Sequence, residues 1–244
     1  MPRIAVVADI HANLAAFEAV IASWGAVDEV WCLGDLVGYG PDPNECVARL
    51  RELKHVCLPG NHDWAALGRI DTGDFNPAAR AAAEWTAAVL SEETRTYLES
   101  LRETLVLGPF TLVHGSPRSP IWEYLLDQAA ARANFELLRT DYCLIGHSHV
   151  PLMFSTRQDG RIDARLLSPE GPLELGGARR FVNPGSVGQP RDGDPRASFG
   201  IVDLDGGAAR FELLRVDYPI AETQARMREI GLPESLARRL AFGK

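Results

Sequence analysis

The first sixty residues alternate short apolar runs with amphipathic segments. The runs RIAVVA, EVWCL and HVCL have the length and composition of buried strands. Between the first two, LAAFEAVIASW repeats its apolar positions at helical spacing, with Asn13 as its predicted N-cap and Gly25 just after its end. A second helix is predicted from about Pro43 to Leu53. This order predicts a βαβαβ unit and therefore a parallel sheet.

The middle of the chain is predicted to contain more helix and then two further strands. Residues 64 to 104 are predicted to be mostly helical, with Ser91 as the N-cap of SEETRTYLES. TLVLGPFTLVHG predicts two strands around a Gly-Pro turn, and a helix near Gln128 to Arg139 leads into YCLIG. The helical insertion at about 64–104 exceeds the length of a simple crossover, so it either roofs a crevice and sets substrate size or only pads the sheet.

Past Pro151 the pattern becomes that of antiparallel hairpins. MFSTRQDGRIDARLL and FGIVDLDGGAARFELL each place Asp-Gly between alternating apolar and polar positions, which is a strong hairpin signal. Ile220 to Leu240 is predicted to be helical and closes the chain. We therefore expect an α/β fold in which residues 1–244 form a single domain of two stacked mixed β-sheets flanked by helices.

Composition narrows the classes of function. The formal net charge of −8 and the pI of about 5.3 argue against an extended nucleic-acid-binding surface. No stretch reaches the ~18 uncharged apolar residues of a membrane span, and the N-terminus has the pattern of a core strand rather than a signal peptide. We therefore expect no membrane association and a cytoplasmic location. The four cysteines lack paired spacing, which is typical of small buried side chains rather than a zinc site or disulfide framework.

Metal-ligand residue types follow the predicted strands, at the point where each strand ends. They are Asp9 and His11 after IAVVA, Asp35 after VWCLG, Asn61 and His62 after VCLPG, His114 after FTLV, and His147 and His149 after CLIG. Because ligands of α/β proteins bind at the carboxyl edge of the sheet, five separate segments are predicted to meet in one crevice. Of the six histidines, only His55 lies outside this set.

The chemistry of these residues suits divalent transition metals. Residues at i and i+2 of an extended segment point the same way, so the outer residues of DIH and of HSH can each present two ligands to one centre. A lone histidine at a strand end is more often an ordinary polar residue, but five such ends together predict a metal site. Two Asp, one Asn and four His are too many ligands for one ion that keeps an open position. We expect two divalent ions, manganese first, with iron, zinc or cobalt also compatible.

Five segments resemble the ordered motifs of the calcineurin-like metallophosphoesterases. They are DIH at 9–11, GDLVGYG at 34–40, GNHD at 60–63, VHG at 113–115 and GHSH at 146–149. NPGSVGQPR at 183–191 resembles a segment of the small prokaryotic phosphodiesterase branch, so the similarity covers most of the chain. The resemblance implies a four-layer α/β/β/α sandwich and a hydrolase of phosphoric esters.

The resemblance also implies a role for each residue of the set. It implies that the first metal is held by Asp9, His11 and His149, the second by Asn61, His114 and His147, and that Asp35 bridges them. His62 is implied to be catalytic rather than a ligand. The mechanism that follows is attack on phosphorus by a metal-bridging hydroxide, with His62 as the general acid that protonates the departing alkoxide.

The GDLVGYG motif departs from that of the protein phosphatases in this superfamily. Those enzymes carry G-D-x-V-D-R-G, whose second Asp supports the catalytic histidine and whose Arg grips phosphate, whereas Gly38 and Tyr39 stand at those places here. This argues against a protein phosphatase and leaves open what orients His62. Asp63 either orients a neighbour or caps the following turn. Tyr39 either stacks on a nucleobase or packs beneath its loop, and Arg191 is a candidate to pair with a second phosphate beside a backbone anion nest.

Together these features predict a dinuclear metal-dependent phosphoesterase that acts on a phosphorylated small molecule or nucleotide. Phosphodiesters and nucleotide polyphosphates are favoured over monoesters. The alternatives are a phosphomonoesterase, or a metal-binding scaffold that has lost its chemistry, although no ligand and no catalytic histidine is missing from the motifs. A DNA nuclease requires a basic track, which this composition lacks.

Overall fold

The computed structural model describes residues 2–244, and these contain twelve strands and eight helices. The strands are β1 (Arg3–Val7), β2 (Glu29–Cys32), β3 (His55–Cys57), β4 (Thr104–Leu107), β5 (Phe110–Val113), β6 (Tyr142–Leu144), β7 (Leu152–Thr156), β8 (Ile162–Leu166), β9 (Leu173–Glu174), β10 (Arg180–Asn183), β11 (Ala197–Asp205) and β12 (Ala208–Val216). The helices are α1 (Leu14–Ser23), α2 (Pro43–Arg51), α3 (Asn61–Ala66), α4 (Pro77–Val89), α5 (Glu92–Glu99), α6 (Gln128–Leu137), α7 (Ile220–Glu229) and α8 (Glu234–Leu240).

The strands form two mixed sheets of six strands each. The first has the order β3-β2-β1-β11-β12-β9 and the second the order β4-β5-β6-β10-β7-β8. In the first sheet β1, β2 and β3 are parallel, and β11 and β12 continue the sheet in antiparallel register. In the second sheet β5, β6 and β10 are parallel, with antiparallel β4 and β7 on either side. The predicted parallel unit followed by hairpins is confirmed.

The apolar residues of β1 show why this strand is continuously hydrophobic. Ile4 and Val6 belong to the core between the two sheets, whereas Ala5 and Val7 belong to the core between the first sheet and helices α1 and α2. Successive side chains of a strand point to opposite faces, so a strand covered on both faces needs apolar residues throughout. A further core lies between the second sheet and α6. The predicted four-layer α/β/β/α sandwich is confirmed.

Local signals set the helix ends. Asn13 accepts a hydrogen bond from the Ala16 N–H (3.2 Å), and Ser91 caps α5 by accepting from the Thr94 N–H (3.1 Å), as predicted. The prediction of one helix over Ile220 to Leu240 is wrong in its middle. There, Gly231 adopts a left-handed φ of 77°, and the chain passes through a proline before α8 begins.

The β11–β12 hairpin turns one residue later than its Asp-Gly pair predicts. Its two loop residues are Gly206 and Gly207, with φ of 55° and 100°, and Asp205 ends β11. A two-residue type I′ turn requires positive φ at both positions, which two glycines satisfy without a steric cost. Among residues 2–244, no helix is both long and apolar enough to cross a membrane.

Candidate metal centre

Side chains that follow five strands lie together in two adjacent groups. The first half-site comprises Asp9, His11, Asp35 and His149, whose ligand atoms lie within 4.8 Å of one another. The second half-site comprises Asp35, His114 and His147 on the same criterion, together with Asn61, whose Oδ1 lies 3.3 Å from His114 Nε2. The structure therefore brings all seven sequence-derived ligand candidates into one place.

Asp35 belongs to both half-sites. Its Oδ2 lies 3.5 Å from His11 Nε2 and 3.5 Å from His114 Nε2. Its Oδ1 accepts a hydrogen bond from the His62 N–H at 2.8 Å, which fixes the carboxylate plane. A Cβ on Gly60 would come within 2.0 Å of Asp35 Oδ1, so only glycine permits this approach. One oxygen of Asp35 is thus placed between the two groups of ligands.

Several ligands are held in a left-handed backbone conformation. The φ angles are 53° at Asp9, 48° at His11, 52° at Asp35, 66° at His147 and 59° at His149. For residues other than glycine this conformation costs roughly 1–2 kcal/mol each. Backbone hydrogen bonds hold the loops in place, including those from the Asp9 N–H to the Gly34 carbonyl (3.0 Å) and from the His11 N–H to the Asp35 carbonyl (2.9 Å). The rest of the fold therefore stabilises a strained ligand arrangement.

Backbone carbonyls set the tautomers of the histidines. His11 donates from Nδ1 to the Val37 carbonyl (3.2 Å), and His114 donates from Nδ1 to the Leu33 carbonyl (2.8 Å). His149 likewise donates from Nδ1 to the Gln189 carbonyl (2.6 Å). Each ring therefore directs its Nε2 into the site, where that nitrogen offers a lone pair to a metal whenever it is unprotonated. His147 is reversed, because its Nε2 donates to the Trp122 carbonyl (3.2 Å) and leaves Nδ1 as the ligand atom. Sequence reasoning missed these carbonyls, which no side-chain pattern marks.

The arrangement has little positive charge for its converging acceptors. Although burial alone would lower it, the charge of Asp35 raises the pKa of His114 to about 9, so His114 is the protonated imidazole among the candidate ligands. All seven candidate ligands are at most 3% exposed, and the Oδ2 atoms of Asp9 and Asp35 are buried without a hydrogen-bond partner. The Nε2 atoms of His11 and His149 lie 3.0 Å apart with lone pairs facing each other. Burial, with a contribution from the charge of Asp35, raises the pKa of Asp9 to about 8. Such buried, converging acceptors are costly unless a cation satisfies them, so the residues present fit divalent metal ions.

Aromatic contacts orient His62. Its ring centroid lies 4.2 Å from that of Tyr39, 4.9 Å from that of Phe75 and 5.0 Å from that of His11. A Cβ on Gly38 would lie 2.9 Å from His62 Nδ1, and this nitrogen is buried without a hydrogen-bond partner. Burial lowers the pKa of His62 to about 4. Packing between rings, rather than a supporting carboxylate, therefore holds the imidazole.

Asp63 both caps a helix and joins two loops of the site. Its carboxylate accepts hydrogen bonds from the N–H groups of Gly60 (2.8 Å), Val37 (2.9 Å) and Leu36 (3.3 Å). The first bond caps α3, and the other two tie this helix to the loop that follows Asp35. Burial raises the pKa of Asp63 to about 7. Asp63 therefore caps α3 and positions the loop that follows Asp35, but it does not orient the His62 ring.

Tyr39 and Arg191 lie together beside the first half-site. Tyr39 is 5% exposed and its ring contacts His11 with centroids 4.7 Å apart. The Arg191 guanidinium lies 5.8 Å above the Tyr39 ring and donates to Tyr39 Oη (3.4 Å) and Gln189 Oε1 (3.0 Å). Arg191 Nε is buried and has no hydrogen-bond partner. One donor of this guanidinium thus has no hydrogen-bond partner within the protein.

The segment before Arg191 does not form the anion nest that its glycines suggest. The N–H groups of Val187 and Gly188 donate to the carbonyls of Ala8 (3.0 Å) and Asp9 (2.9 Å). A Cβ on Gly188 would lie 1.9 Å from the Ile10 carbonyl oxygen, which explains the glycine by close packing. The segment therefore holds the DIH loop through backbone hydrogen bonds. The anion-nest prediction is wrong for the N–H groups of Val187 and Gly188, because both are already bonded to carbonyls.

The fold and the buried carboxylate–imidazole cluster define a metal-binding α/β sandwich. Residues 2–207 match the calcineurin-like phosphoesterase superfamily domain, and the chain belongs to that family. The resemblance identified from the five motifs is thereby confirmed. Family and cluster together indicate that the protein binds divalent metal and is a phosphoester hydrolase.

Known proteins resemble the chain over its full length. An uncharacterized protein of Methanocaldococcus jannaschii is 37% identical over 250 residues, which cover 99% of this chain and 98% of the relative. A metallophosphoesterase from Sphaerobacter thermophilus has a crystal structure that matches with a TM-score of 0.89 and 48% identity, covering 100% of this chain and 99% of its own. A hypothetical protein from Pyrococcus horikoshii shares the fold, with a TM-score of 0.81. It is 22% identical, and the match covers 100% of this chain and 99% of the other.

Proposed function

We propose that this protein is a dinuclear metal-dependent hydrolase of phosphodiester or nucleotide-polyphosphate bonds. The observation that carries the proposal is the Oδ2 atom of Asp35, which is buried without a hydrogen-bond partner and lies 3.5 Å from both His11 Nε2 and His114 Nε2. A carboxylate oxygen shared by two groups of inward-facing lone pairs suits two neighbouring divalent ions. The proposed ligands are Asp9, His11 and His149 for one ion, Asn61, His114 and His147 for the other, and Asp35 for both.

The ligand set limits which metals fit. Imidazole, carboxylate and amide donors suit manganese first, with iron, zinc or cobalt also compatible. When bound, the two ions supply Lewis-acid activation of water and of the phosphoryl oxygens. Two dications less two carboxylates leave a local charge of about +2, so that an acidic protein still presents a positive site to phosphate.

His62 is the proposed general acid for the leaving oxygen. Its ring packs against the rings of Tyr39 and Phe75, and its Nδ1 has no hydrogen-bond partner, which leaves the imidazole free for proton transfer. With its pKa lowered to about 4 by burial, the imidazole is neutral near pH 7 in the free site. A phosphate anion bound beside it acts in the opposite direction and raises the pKa. Protonation of His62 is therefore coupled to substrate binding.

Arg191 and Tyr39 support a substrate with more than one charged or planar group. The buried Nε of Arg191 lacks a partner, and the guanidinium is positioned by Tyr39 and Gln189. We propose that Arg191 binds a phosphate beyond the one under attack, with Tyr39 holding the guanidinium in place. This favours diesters and polyphosphates over monoesters. A phosphomonoesterase and a catalytically silent scaffold are the competing outcomes of the test below.

The test is a substrate panel with the manganese-loaded protein, covering an activated diester, a monoester, a cyclic nucleotide and a dinucleoside polyphosphate. We expect the diester and the polyphosphate to be hydrolysed fastest. His62→Ala should lower kcat by about 10²–10⁴-fold while the chain retains two ions, as measured by elemental analysis. His55→Ala, a histidine on β3 outside the site, is the matched control and should retain both activity and metal.

Two results would contradict the proposal. Loss of an ion from His62→Ala would make His62 a ligand rather than the acid. Absence of turnover by the wild-type protein with two ions bound would favour the scaffold, and a preference for the monoester would favour a phosphomonoesterase.

A further inference from the structure

Three aromatic side chains cover the metal centre on its solvent side. The Tyr124 ring stacks on the His147 ring with centroids 3.8 Å apart and planes 16° apart. Phe75 packs on His62, and the Trp122 ring contacts Phe75 with centroids 5.8 Å apart. We call Phe75, Trp122 and Tyr124 the aromatic rim. The metal-ligand candidates beneath the rim are almost fully buried, whereas Trp122 and Tyr124 of the rim are exposed.

The rim exposes aromatic surface to solvent. Trp122 is 39% exposed and Tyr124 is 47% exposed, although both rings contact other rings of the site. Soluble proteins rarely leave several large aromatic side chains exposed together, and such patches often mark binding sites. Next to a polar centre, this surface has the apolar and aromatic composition that is typical of ligand-binding surfaces.

The loop that carries Trp122 and Tyr124 is anchored rather than loose. Ile121 and Leu125 are 3% and 2% exposed, so alternate residues of the loop are buried while their neighbours face outward. Between them, Glu123 accepts hydrogen bonds from Ser116, Arg118 and Asn134, the last of these on α6. The aromatic rings are therefore presented in a defined position.

The chemistry around the rim combines planar faces with anion binding. The His62 ring, which contacts Phe75, also contacts Tyr39. The Arg191 guanidinium lies above the Tyr39 ring and has an unpartnered, buried Nε. The phosphate sites proposed at the metal centre and at Arg191 thus lie beside the exposed phenol ring of Tyr124, which stacks on His147 and interacts with Arg191. A nucleotide carries both matching groups, a phosphate and a flat base. A phosphorylated sugar or a phospholipid headgroup lacks the flat base.

We infer that the aromatic rim binds the nucleobase of a nucleotide substrate by stacking, while the phosphate lies at the metal centre. This inference rests on the proposed function and names its substrate class. Base–aromatic stacking tolerates any base, because every base has a π-face. The rim therefore selects nucleotides as a class and does not discriminate strongly among bases.

Equilibrium binding of AMP and ribose 5-phosphate to the manganese-loaded protein tests the inference. The two ligands share the phosphate and the sugar and differ in the base. By titration calorimetry, AMP should bind about fivefold to 150-fold more tightly than ribose 5-phosphate. Trp122→Ala and Tyr124→Ala should each reduce this preference, and the double variant should nearly abolish it, with the ribose 5-phosphate affinity unchanged within about twofold.

Two matched variants separate stacking from simple burial. Trp122→Phe keeps a π-face and should retain most of the preference. Leu126→Ala removes an exposed apolar side chain (56% exposed) from the same loop and should leave the preference intact. Equal affinities of the wild type for the two ligands would overturn the inference, and so would a parallel loss of both affinities in Trp122→Ala. Hydrolysis of an activated diester by the same preparation reports separately on the proposed function.

Discussion

The two half-sites are built from similar side chains but are held differently. All four ligands of the first half-site have left-handed φ angles between 48° and 59°. In the second half-site, Asn61 begins α3 and His114 directly follows β5, so apart from the shared Asp35 only His147 is left-handed. Strain is therefore concentrated where two carboxylates meet.

The half-sites also differ in their connection to the surface. In the first half-site, the histidine rings donate hydrogen bonds to the backbone carbonyls of buried loops. The second is connected to the aromatic rim, because His147 donates to the Trp122 carbonyl and stacks on Tyr124. The first half-site is therefore enclosed by buried backbone groups, whereas the second is in direct contact with solvent-exposed side chains.

Removing the shared ligand should have the largest effect. Asp35→Asn takes away the charge common to both half-sites, so we expect affinity for both ions to fall by more than about 100-fold and turnover to fall with it. Metal content after dialysis measures this. Asp205→Asn, an exposed carboxylate at the end of β11, is the control and should change neither quantity. Retention of two ions by Asp35→Asn would show that the half-sites do not share this residue.

Removing one imidazole from each half-site should separate the two ions. His147→Ala leaves the first half-site with its two carboxylates, and we expect the chain to keep about one manganese ion. His149→Ala damages the half-site that contains both carboxylates, and we expect it to retain less metal at the same free concentration. Electron paramagnetic resonance distinguishes single from coupled ions. If His149→Ala instead retained more metal than His147→Ala, the proposed ranking of the half-sites would be reversed.

Loosening the loop behind the second half-site should have a moderate effect. Although burial alone would raise it, hydrogen bonds from Arg118, Ser116 and Asn134 lower the pKa of Glu123 from an ordinary 4.5 to about 2. Since the folded pKa is depressed, the stabilisation is present above pH 4.5 and is lost as pH falls toward 2. Glu123→Gln should therefore lower stability by ~1 kcal/mol near neutral pH, a low value because part of this network is exposed to solvent.

Thermal unfolding across pH measures the effect of Glu123→Gln. A loss of ~1 kcal/mol corresponds to a fall in Tm of about 2–4 °C for a chain of this size. The difference from wild type should shrink as the pH falls from 4.5 toward 2. Glu136→Gln, an exposed residue on α6, is the matched control. A difference that did not depend on pH would mean that the charge of Glu123 is not what anchors the loop.

Relieving backbone strain beside the first half-site should have the smallest effect. Ala12 is fully buried with a φ of 51°, so glycine at this position removes a backbone strain of roughly 1–2 kcal/mol. The same change removes a buried methyl group and increases the conformational entropy of the unfolded chain, which acts in the opposite direction. We expect Ala12→Gly to be nearly neutral. Ala16→Gly, at an equally buried position within α1, should cost roughly 1 kcal/mol or more. Urea unfolding of the metal-free chains compares the two. Equal destabilisation would argue against stored strain.

The candidate ligands could be predicted from the sequence because their signals are local. Each follows an apolar run at a strand end, and the glycines before Asp35, Asn61 and His147 mark sharp departures of the backbone. Parallel strands bring such ends to one edge whatever the loops between them do. The assignment of roles to these residues came from the resemblance, and it remains a prediction for the metal and kinetic experiments above.

The aromatic rim could not be predicted in the same way. Trp122 and Tyr124 lie in the stretch IWEYLL, which has no helical periodicity and no pattern that separates the exposed rings from the buried Ile121 and Leu125. Phe75 reaches His62 from the helical insertion, and nothing local indicates that contact. Likewise, the carbonyls that set the histidine tautomers are backbone groups, and backbone groups carry no residue-type signal.

The sequence by itself determined most of the strands, the two-sheet class of fold and the set of candidate metal-ligand side chains, because periodicity and backbone preference act over a few residues. Tertiary structure alone decided that Asp35 lies midway between His11 and His114, that rings rather than a carboxylate hold His62, and that an anchored loop places aromatic faces over the centre. These features are distances between elements far apart in the chain. Such distances depend on how two sheets and their helices pack, which no short stretch of sequence encodes.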